Sequence, residues 1–128
     1  MDMPRRTYIA IIDDDESLCR SLARLLHQAG YQPVTFVSAE DFLADPLRPH
    51  FQCLLVDVQL GGMSGIELHK QLNLVGNRAP VIYITAFDDP RAQAEATQAG
   101  CAGFFRKTDG APEILSAIRH AVAPSPAG

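Results

Sequence analysis

The residues with chemistry to offer are a set of aspartates, one threonine and one lysine, each standing just after a short apolar run. Asp13, Asp14 and Asp15 follow residues 8–12; Asp57 follows residues 51–56; Thr85 follows 81–84; Lys107 comes shortly after 103–105. If these runs are neighbouring strands of one sheet, their polar followers share one rim. Carboxylates gathered there repel one another unless a cation sits among them. A hard divalent ion with oxygen ligands meets that need, and Mg²⁺ uses one or two carboxylates while keeping waters and phosphate oxygens. A lysine and a threonine hydroxyl beside it complete a site able to neutralise and hydrogen-bond a phosphoryl group.

Taken singly, each residue has an ordinary explanation. An aspartate after a strand is commonly turn chemistry or a helix cap, and Asp15, just ahead of a helical pattern, is read as such a cap. A lone lysine is usually solvated and a lone threonine usually a strand former. Their joint occurrence at four strand ends carries the functional reading.

The elements that must position them alternate along the chain. Residues 8–12 form an apolar run too short for a helix. Leu18, Leu22, Leu25, Leu26 and Ala29 recur at helical spacing, and Gly30 follows as a stop. A second strand is expected over 32–37. Ser38 with Asp41 three residues on opens a short helix through Phe42 and Leu43. The run 51–56 (FQCLLV) is nearly continuous, as in a strand buried on both faces. Ser64 then caps a helix bearing Ile66, Leu68 and Leu72, and a fourth strand covers 81–84. Asp89-Pro90 opens a helix of alanines closed by Gly100. A fifth strand covers 103–105, and Pro112 opens a last helix with Ile114, Leu115, Ile118 and Val122. Alternation of this kind predicts an α/β fold: a doubly wound, five-stranded parallel sheet with five helices. Its ligand sites lie outside the carboxyl ends of the strands.

Composition limits the alternatives. A charged content of 20% against 47% apolar suits a soluble domain and not a disordered chain. The net charge of −4 argues against direct nucleic-acid binding. Cys19, Cys53 and Cys101 are scattered in apolar segments, which predicts buried reduced thiols rather than a disulfide frame or zinc site. No apolar run approaches the ~20 residues that span a bilayer, and acidic residues follow the basic start too soon for a signal peptide. A single cytoplasmic domain over 1–123 is expected, with 124–128 as the start of a linker or disordered tail. His27, His50, His69 and His120 lack metal spacing and are placed on helix surfaces or a loop, as solvated or packing residues.

Four strings together resemble the receiver domains of two-component response regulators. Ile11-Ile12-Asp13-Asp14-Asp15 is similar to their acidic pair. Leu54-Leu55-Val56-Asp57-Val58-Gln59-Leu60 with Met63-Ser64-Gly65 resembles the segment around their phosphorylated aspartate. Ile82-Tyr83-Ile84-Thr85-Ala86 and Phe104-Phe105-Arg106-Lys107 resemble their threonine and lysine segments. The likeness runs from about Tyr8 to Val122, in order, and the strings from Ser38 and from Met63 look most like the FixJ type.

The resemblance implies a flavodoxin-like (CheY-like) fold and a role for each residue. Asp57 would take the phosphoryl group from a sensor histidine kinase or a histidine phosphotransfer protein. Mg²⁺ would be held by Asp14, Asp57 and the Gln59 backbone carbonyl, with Asp13 acting through a water. Thr85, Ala86 and Lys107 would bind the phosphoryl group, and Thr85 with Phe104 would form the switch. It also implies a phosphoacceptor signalling domain rather than an enzyme. A homodimer through the fourth helix, fifth strand and fifth helix, and a downstream output domain such as a DNA-binding helix-turn-helix, are the further partners it suggests.

Departures from the family pattern fall beside the site. Gly61 stands where many relatives carry proline, which predicts a looser loop. Lys107-Thr108 replaces a lysine–proline pair, and without proline a cis peptide costs ~2.5–4 kcal/mol. Phe87 is bulky enough to shield a phosphoryl group from water. Two other readings remain open: a degenerate receiver acting only as an interaction module, and a haloacid-dehalogenase-like phosphatase. The second is disfavoured because Asp57-Val58-Gln59 offers no acid at the position that family uses.

Overall fold

The computed structural model describes residues 7–46, 50–86 and 88–122. Phe87, expected to shield the site, and the tail over 124–128 lie outside the described residues. The chain runs β1 (Tyr8–Ile12), α1 (Glu16–Gln28), β2 (Gln32–Phe36), α2 (Ala39–Leu43), β3 (Phe51–Asp57), α3 (Gly65–Leu74), β4 (Val81–Thr85), α4 (Pro90–Gln98), β5 (Gly103–Arg106) and α5 (Ala111–Val122). All strand pairings are parallel, in the order β2-β1-β3-β4-β5. The doubly wound five-stranded α/β fold expected from the alternation is the one found.

Period-two alternation divides the core between two faces. Ala10, Ile12, Leu54, Val56, Val81 and Tyr83 join Phe42 of α2, Leu68 and Leu72 of α3 and Ala96 of α4. Ile9, Ile11, Cys53, Leu55, Ile82 and Ile84 join Leu22 and Leu26 of α1 and Ile114 and Ile118 of α5. The central strands are thus apolar on both sides, which is why β3 reads as a continuous run. Edge strand β2 tolerates Pro33, which could not donate to a ladder on both sides.

Caps fix where the helices start, and therefore where the strand-end loops finish. Asp15, Ser38, Ser64 and Asp89 each accept a backbone N–H from three residues on, those of Leu18, Asp41, Glu67 and Ala92. Strand boundaries differ from the sequence expectation by one residue: Val37 falls outside β2, while Asp57, Thr85 and Arg106 close their strands.

Two packing expectations are corrected. His69, placed on a helix surface from its polarity, is buried at 5% exposure with its Nδ1 2.9 Å from the Tyr83 hydroxyl. Cys101 is only partly buried, unlike Cys19 and Cys53.

Candidate functional site

Winding reverses between β1 and β3, because α1 leads outward to β2 and α3 leads the other way to β4. A crevice opens at the carboxyl ends of strands at such a point. Asp13, one residue past β1, and Asp57, the last residue of β3, stand on its two sides. Both are buried, at 3% and 4% exposure.

Lys107 crosses from beyond β5 to join them. Its Nζ lies 3.1 Å from Asp13 Oδ2 and 3.3 Å from Asp57 Oδ2. The main chain helps place it, since the Lys107 N–H donates to the Thr85 carbonyl at 2.7 Å. Lys107 reaches both aspartates without a proline at position 108, and no cis peptide occurs among the described residues.

Local backbone also holds one oxygen of each carboxylate, and Lys107 Nζ shares that of Asp13 at 3.3 Å. Asp13 Oδ1 accepts the Asp15 N–H at 2.9 Å, and Asp57 Oδ1 accepts the Gln59 N–H at 3.0 Å. These turn-type bonds follow from short polar side chains at strand ends, which capture an N–H two residues on. Burial pushes the Asp57 carboxyl up to about 6, opposed by the Gln59 N–H, raised further by Asp13 and lowered by Lys107. Burial alone would lower the Lys107 ammonium, but its bond to Asp13 and the charges of Asp57 and Asp13 outweigh that and hold it above its usual value.

Asp14 is exposed and completes the acidic cluster: ligand oxygens of Asp13, Asp14 and Asp57 lie within 4.8 Å of one another. Three carboxylates answered by a single ammonium leave negative charge and acceptor oxygens in excess. This donor set suits a hard divalent cation.

Of the other predicted residues, Thr85 is buried at the end of β4 and Ala86 is exposed just beyond it. Gln59 is tied to Asp57 through its N–H. Phe104 is half-buried against Tyr83, with ring centroids 6.0 Å apart. Gly65, the first residue of α3, packs so closely behind the site that an added Cβ would collide with the Asp57 carbonyl oxygen and come within 2.8 Å of Val56 Cγ1. That requirement explains the glycine in the Met63-Ser64-Gly65 string.

The family described as response regulator receiver domain matches residues 9–119. The chain belongs to that family. The receiver is 35% identical over 122 residues to response regulator protein TodT of Pseudomonas putida, which covers 95% of this chain and 54% of TodT. It is 35% identical over 117 residues to transcriptional regulatory protein FixJ of Azorhizobium caulinodans, covering 91% of this chain and 56% of FixJ. The crystal structure of FixJ-N superposes on it with a TM-score of 0.84 at 31% identity, covering 98% of this chain and 100% of that one. The receiver therefore spans about half the length of the curated relatives it matches. Its membership of the FixJ type, its flavodoxin-like fold and its place in two-component signalling agree with the sequence expectation. The match gives no support to a phosphatase or to a degenerate receiver acting only as an interaction module. No described helix is long and apolar enough to cross a membrane.

Proposed function

We propose that the receiver accepts a phosphoryl group on Asp57 from a sensor histidine kinase or a histidine phosphotransfer protein, and switches its interaction surface in response. The observation that supports this most is the buried Asp57 carboxylate held between the Gln59 N–H and Lys107, within a cluster of acids. Burial raises the Asp57 carboxyl while the Gln59 N–H and Lys107 oppose the rise, so both favour the carboxylate, the form that attacks without a general base. An Asp57 oxygen attacks phosphorus, the bond from phosphorus to the histidine nitrogen breaks, and the imidazole leaves with that electron pair.

Asp14, Asp57 and the Gln59 backbone carbonyl would hold Mg²⁺, with Asp13 acting through a bound water. The bound cation supplies charge neutralisation between the carboxylates and the phosphoryl oxygens. Lys107 exchanges its contact with Asp57 for a phosphoryl oxygen, as a mobile point charge can. The Thr85 hydroxyl and the Ala86 backbone meet the other oxygens. Drawing Thr85 toward the acyl phosphate frees space that Phe104 fills, remodelling the face of α4, β5 and α5. That face is the one through which a homodimer would form.

The domain spans 1–123, acts in the cytoplasm, does not bind nucleic acid itself, and is a phosphoacceptor rather than an enzyme with turnover. An output domain such as a helix-turn-helix is expected in the whole protein, by analogy with relatives almost twice as long, one of them named a transcriptional regulatory protein.

Intact mass after incubation with Mg²⁺ and acetyl phosphate tests the reading. One added phosphoryl group is expected in wild type and none in Asp57→Asn or with EDTA. Wild type that gains no mass, and whose spectrum beryllofluoride leaves unchanged, refutes phosphoacceptance.

A further inference from the structure

The loop from β3 to α3 carries Gln59 and two consecutive glycines, Gly61 and Gly62. Val58 and Leu60 are buried, and the Gly65 N–H donates to the Val58 carbonyl at 3.1 Å, so both ends are pinned. Between them sit Gly61 and Gly62, and a Cβ at Gly61 would meet nothing within 4 Å. Two consecutive glycines leave this stretch with more backbone freedom than any other pair would.

One side chain reaches it from elsewhere. Glu40 Oε2 of α2 accepts the Met63 N–H at 3.0 Å, across 23 residues of sequence. The same oxygen lies 2.8 Å from where a Cβ of Gly62 would stand, and Gly62 has φ of +81°. Gly62 therefore serves two ends: it takes a left-handed conformation and lets a carboxylate come close to the backbone. A charge-assisted bond to an N–H is stronger than a neutral one.

We infer that Glu40 is a positioning residue for phosphoryl transfer: it holds the loop of Gln59 to Met63 so that the Gln59 carbonyl is presented beside Asp57. The tether takes over a task that a rigid residue at position 61 would otherwise perform. Glu40 is exposed and its helix has its own cap in Ser38, so losing its carboxylate leaves the fold standing. This inference rests on the proposed Mg²⁺-dependent phosphoacceptance.

The test is an NMR titration of the whole chain with MgCl₂, without phosphodonor, comparing wild type, Glu40→Ala and Glu40→Gln, alongside exchange of the Met63 amide. In Glu40→Ala the Mg²⁺ dissociation constant should rise about fivefold, the scale of one exposed charge-assisted hydrogen bond, and the Met63 amide should exchange faster. Glu40→Gln keeps an acceptor oxygen and should restore both towards wild type. Unchanged affinity and exchange in Glu40→Ala overturn the inference. So does Glu40→Gln behaving like Glu40→Ala, which would mean that charge at a distance acts instead of the bond. If the Glu40 effects on Mg²⁺ appear but wild type gains no mass from acetyl phosphate, phosphoacceptance falls and with it the role in phosphoryl transfer, leaving Glu40 as a support of the cation site only. Wild type that binds no Mg²⁺ overturns both.

Discussion

The acidic rim and the aromatic cluster under α2 lie within one domain and are held together by opposite means. In the cluster, Phe36, Phe42 and Phe51 meet at ring-centroid separations of 5.3–5.8 Å, with Tyr8 adding an edge contact to Phe51. Phe42 is fully buried, and nothing about the cluster requires a particular charge or pH. At the rim, Asp13 and Asp57 are nearly as deeply buried, yet both are carboxyl groups that share one lysine. Burying apolar rings stabilises the fold without direction, whereas burying carboxylates costs free energy that pairing returns only in part. The rim is where burial works against stability, at the group proposed to react.

If that contrast holds, the two regions should fail separately. Lys107→Met should show the largest effect, slowing phosphoryl uptake from acetyl phosphate about a hundredfold, as loss of a charge-stabilising group does. Time-resolved intact mass reads it, and a rate within twofold of wild type would remove Lys107 from the phosphoryl-binding set. Phe42→Ala should do the reverse. It should cost ~3–5 kcal/mol in urea unfolding through lost burial and a cavity, while the folded fraction still takes up the phosphoryl group at the wild-type rate.

A smaller effect separates the regions by sign. Burial raises the Asp57 carboxyl to about 6, above its ordinary 3.8, so the folded state binds that proton more tightly than the unfolded chain. The stabilisation from a protonated Asp57 is complete below about 3.8 and is lost as pH rises through about 6. Without Mg²⁺, Asp57→Asn should therefore melt a few degrees higher than wild type at pH 8, and that advantage should shrink as the pH is lowered through 6 toward 4. A variant less stable than wild type at pH 8 would show that Asp57 holds the rim together rather than straining it.

The same contrast governs what could be seen in sequence. Strands and helices were legible because alternation and 3.6-residue periodicity belong to short windows, and caps such as Ser38 and Ser64 announce themselves three residues ahead. Asp13, Asp57, Thr85 and Lys107 were legible as a set because a parallel sheet places all carboxyl strand ends on one side. The Glu40 to Met63 bond was not, since a contact 23 residues apart between a helix and a loop leaves no periodic mark. His69 was misplaced for a different reason. Gly65 and Ile66 precede His69 by four and three residues and Leu72 follows it by three, so the buried stripe runs through position 69. At position 69 polarity and periodicity point in opposite directions, and a partner hydroxyl on β4 makes that position habitable for an imidazole.

His69 also supplies the smallest and most local test. Its Nδ1 sits 2.9 Å from the Tyr83 hydroxyl, which can in turn donate to the Gly65 carbonyl at 3.5 Å. The Tyr83 ring packs at a tilt against Phe104, so this pair ties the helix behind Asp57 to the proposed switch aromatic. Burial lowers the His69 imidazole below its ordinary 6.5, the opposite sense to Asp57. The folded state thus prefers neutral His69; its contribution is intact above pH 6.5 and is lost as pH falls through the lowered value. Urea unfolding of Asp57→Asn should accordingly weaken on acidification below 6.5, with the opposing carboxylate removed, and adding His69→Gln should flatten that fall. An acid-side slope that survives both substitutions would place the titrating group elsewhere, and the interior behind the switch would then be as indifferent to pH as the aromatic cluster beside it.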